Sequence, residues 1–203
     1  MERVSNAHGR GGFTLIETVV ALAVFAGIMI LVTLFSLDVA DFTWQLRERL
    51  AAQDELQLAI TKMTSELRSI TWSANGSYPI LGASSTAFTF YADYDANGAV
   101  DQVRYFAGTT TLQKRIIRPT GSPAQYPSST EIISTVLNSV VTSSFAYFDS
   151  SYNGSGTPLA FPITDLSVIR TARFTVTVDQ TSTTRPGAVT STITVTFRNL
   201  RTN

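Results

Sequence analysis

Cysteine is absent from all 203 residues, so no disulfide can staple this fold in any compartment. Histidine occurs once, at His8, and everything after residue 12 is free of both imidazole and thiol. The commonest general base, the commonest metal ligand and the most reactive nucleophile are therefore missing together. Neither a phosphate-binding glycine loop nor a nucleophile elbow occurs, and the expectation is a protein that is not an enzyme. Charge of one sign is also lacking. Fifteen Lys and Arg balance fifteen Asp and Glu, so no basic field advertises nucleic-acid binding. Proline is missing before Pro79, which leaves the first third of the chain without the strongest helix breaker.

What fills that first third is apolar. Thr18 to Leu37 is a run of 20 residues with no charge and no proline. At about 1.5 Å per residue a helix of that length is about 30 Å long, the thickness of a bilayer's hydrocarbon core. Gly27, Ala21, Ala23 and Ala26 lie within it, small residues that let helices approach closely. Arg3 and Arg10 precede the run against Glu2, which favours cytoplasmic retention of the N-terminal side and places the C-terminal bulk outside. Gly9, Gly11 and Gly12 make the segment before Phe13 pliable. Thr14-x-x-Glu17 has the spacing of a capping box, which by itself implies only a helix start. Ala21-Leu22-Ala23 has the small-x-small spacing of a secretory cleavage site, but the apolar run continues well past the about 7–15 residues of a signal core.

The order Gly11-Gly12-Phe13-Thr14-Leu15-Ile16-Glu17 followed by an uninterrupted apolar run resembles the prepilin leader of type IV pilins and of the pseudopilins of secretion and competence systems. The match covers residues 9 to about 37. It implies cleavage between Gly12 and Phe13 by a prepilin peptidase, and N-methylation of Phe13. It also implies a role for Glu17, whose carboxylate would pair with the N-terminal amine of an adjacent subunit. Elementary physics supports that role: a lone ionised carboxylate in lipid is costly, whereas a free α-amino group with a pKa near 8 is cationic at neutral pH. Residues Asp54 to Arg68 resemble, more weakly, the helix end of W-type minor pilins and J-type minor pseudopilins. Many major pilins close a C-terminal loop with a disulfide; this chain has none, which points to a minor subunit.

The implied fold is α+β, the pilin fold, with a long N-terminal helix packed on an antiparallel β-sheet domain. Its parts are a leader (1–12), a membrane-spanning and filament-core helix (13–37), an amphipathic continuation (38–70) and a β domain (71–203). The implied partners are other pilin or pseudopilin subunits met through the N-terminal helix, the peptidase and the cytoplasmic membrane. The chain would be a single-pass protein of that membrane, with its C-terminal domain outside, before entering an extracellular or periplasmic filament.

Pattern beyond the span agrees with helix and then strands. With no proline before Pro79, helix can run from Phe13 to about Ile70. Past Asp38 the residues Val39, Phe42, Leu46, Leu56, Ile60, Met63, Leu67 and Ile70 follow 3- and 4-residue steps, interrupted by Arg49 and Gln53 with Leu50 beside them. A stripe so broken suits packing on a globular domain. Period-two segments at 87–91, 100–106, 112–117, 140–148, 171–178 and 190–197 read as strands of one antiparallel sheet, the last two joined around Arg185-Pro186-Gly187. Residues 131–137 are ambiguous between strand and helical turn. Asn75-Gly76-Ser77 and Asn153-Gly154-Ser155 match glycosylation sequons but read as turns. Tyr147 and Phe148 are expected on opposite sides of a strand, one of them buried, with Tyr152 in the loop beyond.

One stretch has metal-ligand spacing. Asp93, Asp95, Asn97 and Asp101, with Gly98 between, place oxygen donors as a calcium loop does, though Arg104 stands where the twelfth-position acid belongs. The same residues are what a hairpin turn selects, so a turn is the first expectation, no cofactor is expected, and calcium is the alternative. Two other functions stay open: a signal-anchored surface protein whose β domain binds a ligand alone, and a carboxylate-based hydrolase, which needs acids converging in a cleft.

Overall fold

A computed structural model describes residues 12, 14–179 and 188–200, the side chains at 45, 46, 48, 49, 51 and 52 excepted. His8, Phe13 and the turn Arg185-Pro186-Gly187 lie outside the described residues, as do the side chains of Leu46 and Arg49. Two compact units emerge, Met1–Arg47 and Glu48–Asn203.

Helix α1, Leu15–Arg68, supplies the first unit and the opening of the second. It starts where the capping pattern predicts: the Thr14 hydroxyl accepts from the Glu17 backbone N–H at 3.4 Å. In the first unit its apolar side chains are exposed all round. In the second unit Leu56, Met63, Leu67 and Ile70 are buried and Ile60 is half-buried. The expected stripe is thus buried only in its second half, since Val39 and Phe42 are exposed.

The β part holds two antiparallel sheets rather than one. Strands β1 (Ile80–Ala83), β2 (Ala87–Ala92), β3 (Asp101–Ala107), β4 (Leu112–Ile117) and β5 (Glu131–Leu137) form a meander in chain order. Strands β6 (Val140–Phe148), β7 (Thr171–Val178) and β8 (Val189–Thr196) form a second, three-stranded sheet. The period of two located β2, β3, β4, β6, β7 and β8, but it carries no record of where one sheet stops and the next begins. Strand β1 escaped it because four residues with a central Gly82 make too short a pattern. The ambiguous segment is β5, a sheet edge whose Ile132 and Ile133 are both exposed, so no alternation could mark it. At the β3–β4 turn the Gly108 N–H donates to the Thr111 carbonyl at 2.7 Å, and a Cβ at Gly108 would stand 2.7 Å from the Thr111 hydroxyl. A side chain there has no room.

Phe88 on β2 is the hub where the two sheets meet. Its ring lies 5.2 Å from Phe90, 5.2 Å from Tyr147, 6.1 Å from Phe145 and 5.9 Å from Phe197. Offset ring pairs at these separations add about 0.5–1.5 kcal/mol each beyond burial. The Tyr147 hydroxyl, pushed far above its ordinary pKa by burial, donates towards the Ser84 and Ala87 carbonyls at 3.1 and 3.2 Å. Both Tyr147 and Phe148 are buried, contrary to the expectation of one. The loop after β6 folds back, so the Tyr152 ring lies 4.2 Å from Phe148 and the Arg173 guanidinium covers Phe148 at 4.8 Å.

A buried polar fork ties the helix to the first sheet. Glu66 of α1 accepts from the Tyr105 hydroxyl at 2.5 Å and from the Lys114 ammonium at 2.8 Å. Tyr105 and Lys114 are direct cross-strand neighbours on β3 and β4, so one carboxylate receives one donor from each strand. All three side chains are buried, and burial together with the Glu66 charge pushes the Tyr105 phenol well above its usual range. Removing one partner of such a set strands the other in a dry interior. Glu66→Ala should therefore cost about 3–5 kcal/mol in chemical unfolding of the full chain. Leu58→Ala, at a helix position 72% exposed, should stay within about 0.5 kcal/mol of wild type.

Candidate functional site

Thirty residues of α1, Leu15–Trp44, form a helix long and apolar enough to cross a membrane, and all of them are exposed. Its polar side chains are dealt with locally. The hydroxyls of Thr18, Thr33, Ser36 and Thr43 donate to the carbonyls of Leu15, Met29, Val32 and Val39 at 2.7–2.8 Å. A hydroxyl bonded to its own helix needs no water, so the surface between Thr18 and Leu37 presents no unmet hydrogen-bond donor to an apolar neighbour. The acids are the exceptions: Asp38 and Asp41 follow the uncharged run, and Glu17, in the first turn, precedes it. Its carboxylate stands at the entry of the span with Gly12, which is exposed and outside the helix, five residues before it. Cleavage between Gly12 and Phe13 and methylation of Phe13 concern a residue outside those described.

The acidic turn belongs to the second unit and closes the β2–β3 hairpin, in which Ala92 pairs with Asp101. The Asp93 carboxylate accepts from the backbone N–H groups of Asn97 (3.0 Å) and Gly98 (2.9 Å), and the Asn97 side chain accepts from Ala99 N–H at 2.8 Å. Gly98 adopts φ +86°, the left-handed conformation that glycine takes without cost. Asp95 lies 3.7 Å from the Arg118 guanidinium. Asp93 and Asn97 therefore serve the turn. Among the described residues, acids and histidines are nowhere gathered in threes that could hold a metal ion.

Asp101 is the strained member of this group. It is fully buried, and neither carboxylate oxygen has a hydrogen-bond partner among the described residues. Burial first, then the neighbouring Asp95, push its pKa up from 3.8 to about 6, against the lowering pull of Arg118.

Sequence reasoning placed the membrane-length helix, Glu17 and the turn. It missed the Glu66 fork, although a signal was present. Glu66 lies three residues after Met63 and four before Ile70, an acid on the apolar stripe, and such a position demands a buried partner. Tyr147, Phe148 and Tyr152 do not form an open partner site, because the first two are core and the third lies over Phe148. Neither the family models nor the curated proteins compared with this chain provide a match.

The buried Asp101 has a consequence for stability. Between pH 3.8 and about 6 the folded chain holds the Asp101 proton while the unfolded chain releases it. Stability therefore falls as pH rises through that window and stays reduced above it. Asp101→Asn should flatten the fall and raise stability at neutral pH by about 1–3 kcal/mol, read as unfolding midpoints across the pH range.

Proposed function

We propose that this chain is a prepilin-like structural subunit, made with its helix in the cytoplasmic membrane and then built into a type IV pilus or a pseudopilus. A prepilin peptidase cuts between Gly12 and Phe13, and the new N-terminus at Phe13 is methylated. The observation that carries the reading is the order of features at the front of α1: a glycine, the cap at Thr14, one carboxylate at Glu17, then a membrane-length helix with no apolar side chain buried.

The mechanism is assembly rather than chemistry. In the membrane the apolar side chains face lipid; in a filament they face the same helix of neighbouring subunits, so transfer between the two exchanges one apolar surrounding for another. Transfer therefore needs a specific polar contact to select the position of each subunit. Glu17 provides it by accepting from the α-amino group of Phe13 in an adjacent subunit, a charge-assisted pair that fixes the stagger. A minor rather than a major subunit fits the absence of cysteine and the weak likeness of residues 54–68 to W- and J-type subunits.

N-terminal sequencing of chain recovered from the membrane decides between this reading and a signal-anchored surface protein. Methylated Phe13 as the first residue supports the subunit; an intact Met1–Gly12 segment supports the anchor and ends the filament reading. Glu17→Leu should insert into the membrane as wild type does, while its incorporation into sheared filaments falls by about tenfold or more. Equal incorporation would remove Glu17 from its role.

A further inference from the structure

Where α1 ends beside β8, the second unit holds a cavity of about 470 Å³ lined by Arg68, Thr194, Val195, Thr196, Arg198 and Asn199. The two arginines come from different elements: Arg68 from the last turn of α1, Arg198 from the single helical turn Arg198–Leu200 after β8. Both stand on fixed backbone. Arg68 follows buried Leu67 and precedes buried Ile70 by two residues, and Arg198 sits between buried Phe197 and Leu200. The Asn199 amide donates to the Ile70 carbonyl at 3.0 Å and ties the two stretches together.

Among the described residues no acid lines this cavity, and neither guanidinium is ion-paired. Elsewhere in the same unit Lys114 has Glu66, Arg115 has Glu131 and Arg118 has Asp95. An arginine in a helix's last turn favours the helix dipole, which accounts for Arg68 alone. It gives no reason for a second arginine on the same cavity, nor for the hydroxyls and amide beside them.

We infer that this cavity binds a phosphate-type oxyanion, either inorganic phosphate or a small phosphate monoester. Each guanidinium presents a planar fork of donors matched to two oxygens. A carboxylate, with two oxygens, is satisfied by one fork; a tetrahedral phosphate has oxygens for both, with others left for the second amide hydrogen of Asn199 and for the hydrogen of the Thr194 hydroxyl, whose oxygen accepts from Arg173 Nε at 3.4 Å. The inference stands apart from the filament reading, since it concerns the second unit by itself.

Titration calorimetry on the detergent-solubilised full chain tests it, with inorganic phosphate and glycerol 3-phosphate as separate probes and acetate as the planar comparison. Binding of a phosphate species, weakened by added salt and not reproduced by acetate, is expected. Tighter binding of glycerol 3-phosphate identifies an ester as the ligand, and equal or weaker binding identifies the free ion. Arg68→Gln and Arg198→Gln should each weaken it about tenfold or more. Lys62→Gln removes the same charge at an exposed helix position outside this cavity and should leave it unchanged. All three positions are exposed, and circular dichroism should show the fold intact. No binding of either probe at millimolar concentration overturns the inference. So does binding that survives loss of both arginines, or that drops equally in Lys62→Gln.

Discussion

The constraint on which everything else depends is the exposure of the apolar surface of Leu15–Trp44. Eighteen large apolar side chains between Leu15 and Trp44 are exposed. At about 1.5–3 kcal/mol for each buried side chain, keeping them in water costs on the order of 20 kcal/mol even if each is only partly exposed. A domain's whole net stability is about 5–15 kcal/mol. The free energy released by covering these side chains would exceed that net stability, and the helix that carries them is long and apolar enough to cross a membrane. The hydroxyls of Thr18, Thr33, Ser36 and Thr43, each bonded back to its own helix, agree with an apolar surrounding. Lipid and a bundle of like helices both meet the requirement.

The second unit solves the ordinary problem of a small α+β domain without a disulfide. Phe88 gathers rings from both sheets, and Leu56, Met63 and Leu67 of α1 close the core from the helix side. Apolar packing alone is tolerant of small slips, because one methyl group fits nearly as well as another. The Glu66 fork is not tolerant. A shift of the helix by one residue would carry the carboxylate away from both Tyr105 and Lys114, leaving buried charge unpaired. Specificity of register therefore sits on that polar contact while bulk stability sits on the aromatic core.

Legibility followed the same division. The membrane-length helix, the Thr14 start, six of the eight strands and the turn at Asp93–Asp101 were readable because each is written in neighbouring residues: length, period, or turn chemistry. The split into two sheets was not, because Phe88 and Tyr147 look alike in sequence whether their strands pair or merely touch. Only one of Tyr147 and Phe148 was expected to be buried, because the loop that returns Tyr152 over Phe148 leaves no periodic trace. Strand β5 was ambiguous since an edge exposed on both faces has no alternation. Within the candidate site, Glu17 was legible as an acid before an apolar run, whereas the isolation of Asp101 depended on what the fold places around it.

Glu66, Asp101 and Glu17 meet apolar surroundings, and they illustrate the available remedies. Glu66 is neutralised by a cation and a phenol from its own unit. Asp101, whose oxygens have no hydrogen-bond partner among the described residues, takes up a proton more readily than an ordinary carboxylate, its pKa pushed up to about 6 chiefly by burial. Glu17 lies at the edge of a helix whose neighbouring side chains are apolar and exposed, on a unit that offers it no cation within the span from Thr18 to Leu37. A proton would relieve it as it does Asp101, but a protonated acid selects no particular neighbour. A cation supplied from outside the helix both relieves the charge and defines a position. On the subunit reading, that cation is another copy's amine, and the same unfavourable burial that makes Glu17 costly in isolation makes the assembled stagger specific. The physical cost of the lone acid thus becomes the reason for its being there.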